Sequence, residues 1–163
     1  MAELTTIEEK LAEVLGLAQA AQGATDKVGK LVEQDEVAQT LQRMGEEAAD
    51  TERRATEIAA ERDGKKTAIE DKARETKTEA QEMMDTYLGD DADGLDGLEF
   101  LIMAEAGELG HVEIVNQMTE QAGDQGLAEF AQLALEVQQR HFEDIRKCAL
   151  TVAAYEDPNE AEG

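Results

Sequence analysis

The chain has 163 residues, 41% of them hydrophobic but only 3% aromatic, with one proline and one cysteine. That length suits a single domain with a modest core, and a core so short of rings must be packed from Ala, Leu, Val, Ile and Met. With 39 acidic against 15 basic residues the formal charge is −24; such a surface repels phosphate backbones and anionic lipid, which excludes DNA, RNA and membrane-surface binding.

The first predicted helix opens at Thr5 or Thr6, where Thr6 and Glu9 have capping-box spacing. Its apolar stripe reads Ile7, Leu11, Val14, Ala18, Ala21, Thr25, Val28 and Val32, in steps of three and four. Gly23 and Gly29 weaken it without stopping it. Asp35 then serves as cap for a second helix with the stripe Val37, Leu41, Met44, Ala48, Thr51, Ala55 and Ile58.

Arg62-Asp63-Gly64-Lys65 reads as a helix stop with a left-handed glycine. A third, highly charged segment carries the thin stripe Ile69, Ala73, Thr76, Ala80, Met83 and Tyr87. Either the chain breaks near Gly64 and this segment folds back, or one helix runs from about residue 35 to 88; the break is the preferred reading.

Residues 89–97 form an acidic loop. Asp91, Asp93 and Gly94 invite a calcium reading, but the EF-hand register would place Gly89 and Phe100 where carboxylates are required. A solvated turn is expected instead. Two long helices follow, from about Gly97 to Ala122 and from about Gln125 to Tyr155, joined by Gly123-Asp124-Gln125-Gly126. So short a link makes them antiparallel neighbours. No alternating strand pattern occurs, so the chain reads as an all-α, antiparallel up-and-down helical bundle. Residues 1–155 form one domain, with the extra helix at about 65–88, and 156–163 an acidic disordered tail.

Only two histidines are present. On a helical wheel the fourth helix has Phe100, Leu101, Ala104, Val115, Met118 and Ala122 on its apolar face. Glu108 and His111 fall within that face, while Glu105, Glu113 and Glu120 point away or to its edge. The fifth helix turns Leu127, Phe130, Ala131, Ala134, Phe142, Ile145, Cys148 and Val152 inward, with Gln138 and His141 among them and Glu136 and Glu143 outward. Each helix therefore sets an acid or amide three residues before a histidine on its inner side. A carboxylate and an imidazole so spaced can hold a divalent metal between facing helices; equally, Glu108, His111, Gln138 and His141 can hydrogen-bond to one another as a register-fixing polar layer. The first two helices offer Thr25, Thr51 and, nearer the edge, Gln22, Glu47 and Glu52, of which Glu47 is a candidate further ligand. Cys148, alone on an apolar face, reads as a small hydrophobe.

The stretch Glu105-Ala-Gly-Glu108-Leu-Gly-His111-Val-Glu113-Ile114, followed by Leu127 to Ile145, resembles the last two helices of the YciF-like branch of ferritin-like proteins. Leu41, Glu46, Glu47 and Glu52 are similar to that family's second helix, and the extra segment sits where the branch inserts a helix. The resemblance covers about residues 5–152. It implies a ferritin-like four-helix core with an extra helical segment between the second and third core helices, often dimeric, with an optional di-metal centre of iron type and stress-linked or metal-handling roles. The sequence departs from the family at Gly110, where the family has a glutamate before its histidine, and at Val137 and Gln138, where it has paired glutamates. Two expectations follow. In one, an altered metal site uses Glu108, His111, His141 and Glu47, with Gln138 orienting a histidine; in the other, a non-catalytic scaffold has lost its metal.

The lone cysteine excludes an intrachain disulfide, and neither a secretory start nor an apolar run of about 18 residues is seen. A cytoplasmic protein is expected. The Ala-rich polar stripes of the second and third helices bury little alone, which suggests a homodimer. The acidity is either a solvated surface or an adaptation to high salt, where screening relieves self-repulsion.

Overall fold

The computed structural model describes residues 2–161. Five helices run in chain order: α1 (Thr6–Gly29), α2 (Asp35–Glu61), α3 (Lys66–Tyr87), α4 (Gly94–Ala122) and α5 (Gln125–Ala153). Among the described residues no strand occurs, and no helix is long and apolar enough to cross a membrane.

The helix ends follow the local chemistry, with some shifts from the sequence reading. The capping box at α1 is Thr5 with Glu8, one residue before Thr6 and Glu9: Glu8 N donates to Thr5 Oγ1 at 3.3 Å and Thr5 N to Glu8 Oε2 at 2.8 Å. Both pairs have the right spacing, but only Glu8 is buried and within reach of Arg62 (3.5 Å) and Lys65 (3.7 Å). Asp35 is the first residue of α2, not its cap; Gln34 holds that position without a side-chain bond. The acidic loop ends earlier than expected because Asp93 and Asp96 form a second reciprocal box at 2.9 and 3.0 Å, starting α4 at Gly94. Its aspartates thus satisfy free helix amides. Asp124 caps α5, accepting from Leu127 N at 3.0 Å.

The chain does break after α2. Arg62 leaves the helical region (φ −89°, ψ 110°), and Gly64 turns the chain with φ +70°, a conformation that disfavours side chains with a Cβ. Past α5, residues 154–161 run through exposed turns; of the expected tail, residues 162 and 163 lie outside the described residues.

The connections make consecutive helices antiparallel, and the cross-contacts place them. α1 lies beside α2, α3 and α4, and α5 lies between α4 and α2. Helices α1, α2, α5 and α4 therefore close a four-membered ring. The contacts Val28–Gly97 and Glu13–His111 run α1 against α4, and Arg43–Asp144 and Glu47–His141 run α2 against α5. α3 stays outside the ring, packed parallel on α1, and carries the chain back so that α4 enters parallel to α2.

That packing depends on Gly16. A Cβ there would stand 2.3 Å from the carbonyl oxygen of Ala73 and 2.8 Å from Thr76 Cβ, so the two helix backbones meet where a side chain is missing. α1 is consequently apolar and small on three sides, with Leu11, Ala12, Leu15, Ala18, Ala21 and Ala24 all buried.

The core falls into two apolar clusters. At one end Leu11, Leu15, Ala59, Ile69, Val112, Leu127 and Phe130 pack together; at the other, Val28, Leu41, Met44, Leu98, Leu101, Ile145 and Val152. Between them, midway along α2, α4 and α5, polar side chains enter the interior, while α1 stays apolar.

Candidate functional site

The gap between the two clusters is filled by buried polar side chains. α4 supplies Glu105 and Glu108, α5 supplies Gln138 and His141, and α2 supplies Thr51 with Glu47 at the rim. α1 supplies only Ala18 and Ala21 at this level. On α4 the inward stripe is Leu101, Glu105, Glu108, Val112, Val115 and Thr119, each step three or four residues. That frame puts both glutamates on its axis.

Gln138 joins the two carboxyl groups. Its Nε2 donates to Glu105 Oε2 at 3.2 Å and to Glu108 Oε2 at 3.0 Å, and all three side chains are buried. Two carboxyl groups sharing one donor, out of water, cannot both carry charge cheaply. Burial first, and then the charge of Glu105, push the Glu108 carboxyl well above the usual range; the bond from Gln138 pulls the other way.

His141, with only 1% of its surface exposed, lies next along α5. Its Nδ1 stands 3.7 Å from Glu105 Oε2 and its Nε2 3.5 Å from Glu47 Oε1. Nε2 is buried and makes no hydrogen bond with any described residue. Glu47 is heavily engaged elsewhere. It takes the Arg43 guanidinium at 2.7 Å and a close contact from Arg140, while Arg43 also binds Asp144 at 2.5 Å. Two guanidinium groups therefore supply the positive charge around this carboxylate.

Of the residues singled out in the sequence, Glu108, Gln138, His141 and Glu47 do come together; His111 does not. Its side chain is 39% exposed at the α1–α4 seam, with Nδ1 3.2 Å from Glu13 Oε2, and Glu13 is in turn held by Lys10 at 3.0 Å. Glu105, placed by the sequence reading at the edge, is instead among the most buried groups of the protein, 1% exposed. Both differences have one cause. The apolar surface of α4 is wider than its core stripe because Phe100 and Ala104 face the α3 side, where Phe100 lies 5.7 Å from the ring of Tyr87. A wheel centred on Phe100, Ala104 and Met118 is rotated away from the true inner face. The stripe from Leu101 to Thr119 was the signal that finds Glu105. Gln22 and Glu52 bind each other at 3.1 Å across α1 and α2.

The donor set can be compared with the di-metal centre that the resemblance implied. Such a centre needs carboxylates from four helices and two inward histidines. Here α1 gives alanines, one histidine has left the layer, and an amide nitrogen stands between the two α4 carboxyl groups. Among the described residues no group of three or more His, Cys, Asp or Glu side chains is arranged to hold a metal ion. The residues present do not fit a carboxylate-bridged pair of ions. Cys148 is buried at the far cluster, and burial pushes its thiol up, as suits a packing residue.

No protein-family model matches the chain, and no curated protein or solved structure matches it.

Proposed function

We propose that this chain is a non-catalytic binding or scaffold protein built on a ferritin-like plan, in which a hydrogen-bonded polar layer stands where the metal centre would be. The topology supports the plan: four ring helices, with the extra helix α3 between the second and third of them. The observation that carries the reading is the Gln138 amide, which donates to both Glu105 and Glu108. A donor in that position does for two carboxyl groups what a bridging cation does in a metal centre, without a metal. The layer then serves register, since slipping either helix by one residue would strip two buried acids of their donor.

A second reading is favoured by one observation, the buried and unpartnered Nε2 of His141 beside Glu47. In that reading His141 and Glu47 hold one divalent ion of iron type at the rim of the layer, and the role is metal handling.

Elemental analysis of protein purified without chelator separates the two. The first reading expects less than about a tenth of an equivalent of Fe, Mn or Zn, and a melting temperature indifferent to EDTA. Near one equivalent, lost in His141→Gln, would overturn it.

A further inference from the structure

Outside the polar layer, a groove of about 280 Å³ lies above α1, walled by α3 and α4. Leu17, Ala20, Ala21 and Ala24 form its α1 side, Ala80, Met83 and Met84 one wall, and Phe100, Leu101, Met103 and Ala104 the other. α3 and α4 meet at the Tyr87–Phe100 ring contact and part from there. Met83 and Met103 are left 66% and 51% exposed along its lips. Glu105, Glu108 and His111 line its far end.

From this geometry we infer that the groove is a binding site for a small amphiphile with an apolar tail and a cationic, hydrogen-bond-donating head, of the alkylammonium class. Size, wall chemistry and charge each argue for that occupant. A space of 280 Å³ is nearly twice an apolar cavity that takes a benzene ring, so it admits on the order of ten heavy atoms and is too small for a helix. Alanine, leucine and unbranched methionine give walls that adapt to a flexible chain. At the polar end, Glu108 is 7% exposed and uses Oε2 for Gln138, while its Oε1 accepts from no described residue. A donor arriving there finds an unused acceptor.

The surroundings select the sign of the head group. α4 carries no lysine or arginine along its 29 residues. On α3, half-buried Lys77 shares the helix face of Ala80 and Met84, and Lys27 is 3.9 Å from Asp85, so the rim carries both signs and the carboxyl groups at the polar end decide. An anionic head would meet like charge at Glu105 and Glu108, whereas an ammonium would be drawn in. This inference is independent of whether His141 takes a metal.

The test is calorimetric titration of the full chain with n-octylamine, n-octanol and octanoate at physiological ionic strength, below micelle-forming concentrations. One octylammonium per chain is expected, with octanol at least tenfold weaker and octanoate weaker still. Glu108→Gln should bring the amine to the level of the alcohol. Ala104→Trp, and independently Ala80→Trp on the opposite wall, should abolish binding of both while the circular dichroism stays unchanged. Octanoate binding as tightly as the amine would overturn the inference. So would several amines per chain unaffected by both tryptophans, which is attraction to the acidic surface alone. No amine bound, together with a dimer that either tryptophan splits, would overturn it in favour of a second copy covering the groove.

Discussion

The polar layer makes its sharpest prediction at Gln138. Replacing it by glutamate changes no volume but removes the donor that Glu105 and Glu108 share, at 3.2 and 3.0 Å, and adds a third acid among groups 1% and 7% exposed. Hydrogen bonds to charged groups contribute about 1.5–3 kcal/mol each, so losing both costs about 3–6 kcal/mol. The introduced carboxyl, when protonated, can return one of them, which leaves a net loss of about 1.5–3 kcal/mol. For a chain of this size each kcal/mol moves the melting temperature by about 2–4 °C, so Gln138→Glu should melt about 3–12 °C below wild type near neutral pH. The sign with pH is fixed. A buried carboxyl whose folded pKa lies above its unfolded value contributes fully only below the unfolded pKa, about 4.3, and that contribution is lost as pH rises through the folded one. The deficit should therefore shrink towards pH 5 and widen towards pH 8. Calorimetric melts of both proteins across that range, in chelated buffer, measure it. Melting within about 2 °C of wild type at neutral pH would refute the bridging role given to the amide.

The remaining predictions test other parts of the fold. Glu108→Gln removes the group whose carboxyl is pushed up by burial and Glu105, so by the same sign it should match wild type near pH 5 and exceed it at pH 8 in urea unfolding; a variant weaker at both would contradict the assignment. Gly16→Ala gains about 1 kcal/mol of helix propensity but drives a methyl to 2.3 Å from the Ala73 carbonyl, an overpacking cost of about 1–3 kcal/mol. Hydrogen exchange should quicken in α3 before any other helix; a uniformly more stable variant would mean that α3 can yield freely. If the charge of −24 is an adaptation to high salt, the melting temperature climbs steeply up to about 2 M KCl, and a flat response above about 0.2 M removes that reading.

How much of this was legible in the sequence depended on how many faces each helix buries. α2 and α5 each turn one stripe inward, and the stripes from Val37 to Ala55 and from Leu127 to Val152 were readable residue by residue, with Gln138 and His141 among them. The break at Gly64 followed from short-range chemistry. α4 was harder. It packs on the ring with one stripe and towards α3 with another, and periodicity reports their average. Hence His111 was drawn inward and Glu105 pushed out, by a rotation of well under one turn. No sequence pattern could have announced that Arg43 and Arg140 converge on Glu47, because they reach it from two helices brought together only by the fold.

α1 links the polar layer and the groove. A helix that touches three others keeps its long polar side chains, such as Glu13 and Gln22, to the seams, and from Leu11 to Ala24 its buried positions are all Leu, Val, Ala or Gly. Small residues let α3 approach as far as Gly16 allows, and the same residues leave α1 with nothing to offer at mid-height except Ala18 and Ala21. The layer is thus built from three sides, and its fourth is a strip of methyl groups. Where α3 and α4 part above that strip, the groove opens, with the strip as floor and the layer's two glutamates at one end. The extra helix therefore has two consequences at once. It removes from α1 the position a fourth ligand would need, and it raises the wall that turns an apolar helix face into a pocket. Substituting Ala21, which is 6% exposed beneath both features, by valine should accordingly disturb amine binding and the Glu105–Glu108–Gln138 layer together. Ala80→Trp, on the outer wall, should affect binding alone.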